Sequence, residues 1–76
     1  MRGRRRPYTE IGVRRLPCAR CGEPAEHQWQ ICSDGNTYRP ICVACDIKLN
    51  RMVLRWMGFR NWRQKIAAYI RKMSNA

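Results

Sequence analysis

The pattern of apolar and polar positions changes period along the chain, and each change marks a predicted element. Residues 27–41 are rich in strand-forming side chains, and the segment SDGN at 33–36 consists of residues that tolerate positive φ. In residues 43–57 the apolar positions follow the 3.6-residue period of a helix, and residues 62–73 repeat that pattern. The sequence therefore predicts a β-hairpin followed by two helices.

The two predicted helices differ in how their apolar residues are distributed. In the first, apolar side chains cover most of the circumference and leave one basic stripe, formed by Lys48, Arg51 and Arg55, so we expect burial on most sides. Gly58 is placed to end this helix, and Asn61 is placed to cap the next. The second helix has one compact apolar stripe, which is typical of a core-facing helix. Its members are Trp62, Ile66, Tyr69, Ile70 and Met73.

The first fifteen residues have a different composition. They contain two clusters of arginine, several helix and strand breakers, and few apolar groups. Such segments do not bury enough apolar surface to offset the entropy of ordering. We therefore expect residues 1–15 to be a flexible basic arm and residues 16–76 to be the folded domain.

Two CxxC motifs, Cys18–Cys21 and Cys42–Cys45, dominate the candidate chemistry. A chain of 76 residues builds only a marginal hydrophobic core, so a covalent or metal link is expected. Four thiolates in two close pairs suit the tetrahedral coordination of structural zinc, whereas redox or iron–sulfur use lacks a supporting sequence context. We predict a structural Zn²⁺ held by these four cysteines. The remaining one, Cys32, is expected to be a small buried strand residue.

The absence of a secretory signal and of a long apolar run indicates a protein of a reducing, cytoplasmic compartment without a membrane partner. The formal net charge is +11, from 16 Lys and Arg against 5 Asp and Glu. A field of this sign attracts polyanions, and we expect nucleic acid as the partner, DNA in preference to RNA. The candidate phosphate-binding residues are Arg2, Arg4, Arg5, Arg6, Lys48, Arg51, Arg55 and Arg63.

The order of a CxxC turn, a hairpin and a second CxxC at the start of a helix resembles the treble-clef zinc finger. This resemblance implies a small α+β domain stabilised by zinc, in which the second cysteine pair anchors the helix to the ion. The predicted fold class is thus a treble clef followed by a second, C-terminal helix.

Residues 18–48 also resemble a shortened HNH nuclease. That resemblance implies a catalytic cation, Mg²⁺ or Mn²⁺, near His27, Asn36 and Asp46, where His27 would act as general base and Asp46 replaces the histidine of the family pattern. The loop between His27 and Asn36 is shorter than in that family, which makes an enzyme the less favoured hypothesis.

The favoured hypothesis is a zinc-stabilised nucleic-acid-binding module of the kind found in phages and mobile elements. It would bind mainly through phosphate contacts, which confer little sequence preference. The alternatives are the HNH-type endonuclease and a basic adaptor or inhibitor that binds an acidic host protein. An exposed tryptophan would favour the adaptor.

Overall fold

A computed structural model describes residues 5–74, and it confirms a small α+β protein with one hairpin and two long helices. The elements are α1 (Glu10–Arg14), β1 (His27–Ile31), a 3₁₀ turn (Cys32–Asp34), β2 (Thr37–Ile41), α2 (Val43–Trp56) and α3 (Trp62–Ser74). The chain divides into two compact units on either side of the Cys45–Asp46 bond. Each unit is described below by itself.

Strands β1 and β2 form a two-stranded antiparallel sheet, as predicted. The register pairs His27 with Ile41 at the open end and Ile31 with Thr37 at the turn end. In the connection Gly35 and Asn36 have φ values of 68° and 60°, the left-handed conformation that glycine and asparagine accept most readily. The Thr37 hydroxyl donates a hydrogen bond of 2.9 Å to the Asp34 carboxylate and closes the turn.

Cys32 begins the 3₁₀ turn and is exposed. The prediction that it is a buried strand residue is therefore wrong. The strand ends one residue earlier, at Ile31, because the turn starts before the SDGN segment and takes Cys32 with it.

Helix α1 lies within the segment that was expected to be a flexible arm. The Thr9 hydroxyl caps it by accepting a hydrogen bond of 2.9 Å from the Gly12 N–H, and Val13 is buried. Just before it, Tyr8 and Gln28 exchange two hydrogen bonds, of 2.7 and 2.8 Å, which attach this segment to β1. Five helical residues with an internal glycine give too little periodicity to predict from sequence. The division of the chain after residue 15 stays a prediction.

The apolar core of the first unit is thin, because half of its members are cysteines. Its buried apolar residues are Val13, Cys18, Ala25, Ile41, Cys42 and Cys45. No side chain among the described residues is both large and fully buried. This composition agrees with the expectation that a link other than hydrophobic burial stabilises the unit.

The end of α2 is a Schellman motif, and it confirms the role predicted for Gly58. The Phe59 N–H donates to the Leu54 carbonyl at 3.0 Å, and the Gly58 N–H donates to the Arg55 carbonyl at 3.1 Å. Gly58 has φ 82°, which only glycine adopts without strain. Helix α3 follows, and the Asn61 carbonyl accepts from the Lys65 N–H at 3.1 Å.

The C-terminal half of α2 contradicts the prediction that this helix is buried on most sides. Met52 is 65 % exposed, Trp56 is 86 % exposed, and Val53 is also exposed, as is Met57 directly after the helix. Periodicity correctly gave the angular positions of these apolar residues, but it does not determine whether another element covers them. No helix within residues 5–74 combines the length and the apolar character needed to cross a membrane.

Candidate metal centre

The first CxxC motif lies in a tight loop closed by backbone hydrogen bonds. Pro17 and Pro24 form an isolated β-bridge, and the Cys18 N–H donates to the Glu23 carbonyl at 2.6 Å. The Gly22 N–H donates a hydrogen bond of 3.0 Å to the Cys18 carbonyl, and Gly22 has φ 84°. Only glycine adopts this conformation readily, so its position one residue after Cys21 allows the chain to turn around the two thiols.

The second CxxC motif is brought to the first by the hairpin. The Ala19 N–H donates to the Pro40 carbonyl at 2.9 Å, which attaches the first loop to the end of β2, just before Cys42. Helix α2 then begins at Val43 and places Cys45 in its first turn. The Cys45 N–H donates to the Cys42 Sγ at 3.4 Å, so the start of the helix orients the second sulfur pair.

The four sulfur atoms form one cluster. The Sγ atoms of Cys18, Cys21, Cys42 and Cys45 all lie within 4.8 Å of one another, and those of Cys21 and Cys42 are 3.5 Å apart. A tetrahedral ion with Zn–S bonds of about 2.3 Å requires sulfur atoms roughly 3.8 Å apart. The donor set and its spacing therefore fit a divalent ion such as zinc, and the thiols of all five cysteines are free of disulfide bonds.

The surroundings of the sulfur atoms favour ionisation of the Cys18 thiol and oppose ionisation of the Cys21 and Cys45 thiols. Burial disfavours ionisation of Cys18, but backbone N–H groups of Cys21, Cys42 and Arg20 outweigh burial and lower its pKa from 9.0 to about 6. For Cys45 the hydrogen bond with the Cys42 side chain, followed by burial, raises the pKa to about 12. Crowded thiols resist the loss of all their protons, and a divalent cation at the centre supplies the charge that permits it.

The hairpin separates two of the residues that the HNH resemblance brought together. His27 lies at the open end of the hairpin, and Asn36 lies in the connection at the other end. The length of β1 between these ends corresponds to about 13 Å at roughly 3.3 Å per residue. This backbone separation is several times a metal–ligand distance of about 2.0–2.6 Å. The geometry thus opposes a shared site for His27 and Asn36.

Asp46, the third residue of that hypothesis, is engaged within the second unit. It is buried, and its carboxylate accepts hydrogen bonds from the Tyr69 hydroxyl and, at 3.1 Å, from the Asn50 side-chain amide. Within residues 5–74 the four-cysteine cluster is the one set of three or more His, Cys, Asp or Glu that could hold a metal. The catalytic roles of His27, Asn36 and Asp46 stay untested predictions.

The residues predicted to contact phosphate are exposed wherever the structure describes them. Arg5, Arg6, Lys48, Arg51, Arg55 and Arg63 all present their side chains to solvent. Arg2 and Arg4 lie outside the described residues. Four further exposed basic residues in or next to α3 are absent from the predicted set, although their charge alone indicates them. These are Arg60, Lys65, Arg71 and Lys72.

Two features of the second unit were missed from sequence. One is the hydrogen bond between Tyr69 and Asp46, since Tyr69 was assigned to the apolar stripe of α3. The other is the exposure of Trp56, which the sequence had indicated only as one of three tryptophans that fit core positions. Trp29 and Trp62 are half-buried, in agreement with that assignment.

Comparison with known proteins identifies no relative. No protein-family model matches the chain, and neither a curated protein nor a solved structure is significantly similar to it.

Proposed function

We propose that this protein is a zinc-stabilised module that binds the phosphates of nucleic acid, DNA in preference to RNA. The observation that carries the proposal is the one-sided charge of the second unit. Every charged side chain after Asp46 is Lys or Arg, and each of those within the described residues is exposed. Asp46 itself is buried and hydrogen-bonded, so residues 46–74 offer solvent no carboxylate.

Zinc is the proposed structural ion, and a treble clef is the proposed arrangement around it. Four cysteine sulfurs within 4.8 Å, a loop, a hairpin and the first turn of a helix support both proposals. The ion would be held by Cys18, Cys21, Cys42 and Cys45, and it would stabilise a unit whose apolar core is thin. It would have no part in chemistry on a substrate, since four protein ligands close the site.

The basic side chains of α2 and α3 are the proposed phosphate contacts. Lysine and arginine release condensed counterions when they neutralise phosphates, and this release favours binding without reading the bases. The guanidinium groups of Arg55 and Arg63 also lie over the Trp62 ring, at 5.3 and 4.5 Å from its centroid. These cation–π contacts restrict the rotamers of both arginine side chains. Restricted side chains lose less entropy when they bind a phosphate.

The test is a salt titration of DNA binding by the zinc-loaded protein. Fluorescence anisotropy of a labelled duplex of about 20 base pairs gives the association constant K at each salt concentration. A plot of log K against log salt concentration should have a negative slope of about 0.9 per phosphate neutralised. A second duplex with a shuffled sequence should bind equally well. Mg²⁺ should leave both duplexes intact, whereas cleavage that is lost on His27→Ala substitution would instead support the nuclease. An affinity that does not depend on salt would refute the phosphate-binding proposal.

A further inference from the structure

An apolar groove lies along the C-terminal half of α2. It is lined by Met52, Val53, Arg55 and Trp56 and has a volume of about 590 Å³. Trp56 is 86 % exposed and Met52 is 65 % exposed, so the largest apolar side chains of the groove are also the most accessible. A contiguous exposed apolar surface on a small protein often marks a binding site.

Phosphate binding does not account for this groove. Lysine and arginine bind phosphates without neighbouring apolar groups, and of the groove residues Trp56 alone has a ring on which a base could stack, which leaves Met52 and Val53 unexplained. Tryptophan, methionine and arginine together are instead the side chains enriched at the centres of protein interfaces. The flexible thioether of methionine also adapts to apolar side chains of different shapes.

The charge around the groove restricts its occupant. Lys48, Arg51 and Arg55 lie side by side on α2, because their spacing of three and four residues places them on one face. They adjoin the groove, to which Arg55 belongs. No acidic side chain follows Asp46 in the sequence, so within residues 46–74 the groove has basic neighbours and no exposed acidic side chain. A second copy of this protein would bring the same positive charge and be repelled.

We propose that this groove binds an acidic amphipathic helix of a partner protein. Two apolar side chains of that helix, at positions i and i+3 or i+4, would enter the groove between Met52 and Trp56. Its flanking Asp or Glu residues would pair with Arg51 and Arg55. The groove residues span Met52 to Trp56, about 6 Å at 1.5 Å per residue, so they accommodate two such side chains one helical turn apart.

The test uses a labelled synthetic peptide of about 18 residues, Glu-rich, with leucines at the helical spacing i, i+3, i+4 and i+7. Its control has the same composition with the leucines shuffled out of helical register. Anisotropy titrations against the zinc-loaded full chain should show that the amphipathic peptide binds about tenfold more tightly than the shuffled one. Equal affinities would mean that charge alone attracts the peptide and would overturn the proposal.

Two single substitutions assign the peptide site to the groove. Trp56→Ser should weaken peptide binding by about tenfold or more, since a central tryptophan is the side chain most often found to dominate an interface. Ile11→Ser is the matched control, because Ile11 is 68 % exposed but lies on α1. It should leave the peptide affinity unchanged. Circular dichroism of both variants should match the parent protein, since each replaced side chain is largely solvent-exposed.

Three other occupants have distinct outcomes in the same experiment. If Trp56→Ser weakens binding of single-stranded DNA and not of the peptide, the groove is a base-stacking site. If it weakens only association with phosphatidylserine vesicles, the groove is a lipid contact. If it converts a dimer into a monomer in sedimentation, the groove joins two copies. Each result overturns the proposal, and none depends on whether duplex DNA binds as proposed above.

Discussion

The Tyr69 hydroxyl donates a hydrogen bond to the Asp46 carboxylate and so connects α3 with the first turn of α2. Asn50 adds two hydrogen bonds from its side-chain amide, at 2.8 Å to the Asp46 carbonyl and at 3.1 Å to its carboxylate. Asp46 is buried, and a buried carboxylate that lacks such donors is costly. The bond is therefore a structural element of the second unit.

Tyr69→Phe should lower the free energy of unfolding by about 1.5–3 kcal/mol, the usual range for a hydrogen bond to a charged group. The substitution keeps the ring and removes the donor to Asp46. Urea denaturation followed by circular dichroism measures the effect. Tyr38→Phe is a suitable control, since Tyr38 lies in β2 of the other unit. An equal loss in both variants would show that the Asp46 bond contributes nothing specific.

The same tyrosine predicts a loss of stability at alkaline pH. Burial, followed by the hydrogen bond to Asp46 and the charge of that residue, raises the pKa of Tyr69 from 10.0 to about 12. Between pH 10 and 12 the unfolded chain loses the phenolic proton while the folded chain retains it, so stability falls as pH rises. Tyr69→Phe lacks this dependence. The gap in unfolding free energy between the parent and the variant should therefore narrow across that range.

Cys45→Ser should abolish zinc binding and unfold the first unit, because zinc affinity of about 10–16 kcal/mol in a small structural site acts as folding free energy. Cys32→Ser is the matched control, since Cys32 is exposed and does not belong to the cluster. Native mass spectrometry should find one zinc ion per chain in the parent and in Cys32→Ser. A parent protein that is metal-free and fully folded would refute the structural role of the ion.

Gly58→Ala should destabilise the second unit by about 1–2 kcal/mol, the cost of a left-handed conformation for a residue with a Cβ atom. The added methyl group meets no atom within 4 Å, so the cost is conformational and not steric. Gly58→Asn should cost less, because asparagine adopts this conformation more readily. Thermal denaturation of the two variants measures the difference. Equal midpoints for the two variants would contradict the expected role of the left-handed conformation.

Replacing Arg51 and Arg55 together by glutamine should make the slope of log K for DNA against log salt concentration less negative by about two. Each lost phosphate contact accounts for about one unit of slope. The matched control replaces Arg14 and Arg15 by glutamine, which changes the net charge equally at residues outside the proposed contacts. An unchanged slope in the Arg51 and Arg55 variant would exclude this face of α2 as the phosphate contact.

Local signals predicted the hairpin, the end of α2 at Gly58 and the two thiols that each CxxC motif holds together. In each case a few neighbouring residues determine the structure: the SDGN turn, a glycine with positive φ, and thiols within one loop or one helical turn. The meeting of the two motifs was predicted from the four ligands that zinc requires. The candidate metal site was therefore predictable from spacing before its geometry was known.

Features that depend on contacts between distant residues were not predictable. Periodicity placed Trp56 and Met52 on an apolar face, but no rule of spacing says that this face lies open. The bond from Tyr69 to Asp46 spans 23 positions and joins residues that sequence assigned to separate roles. Helix α1 is stabilised by the Thr9 cap and by contacts with β1, which its five residues do not reveal.

Cys32 remains as a chemically separate thiol at the turn end of the hairpin. With the other four sulfurs ligated, oxidants and alkylating reagents would find one reactive position per molecule. In air, two chains can join through a disulfide between their hairpin turns. Such a disulfide-linked pair forms without contact at the groove on α2, and a reducing agent separates it.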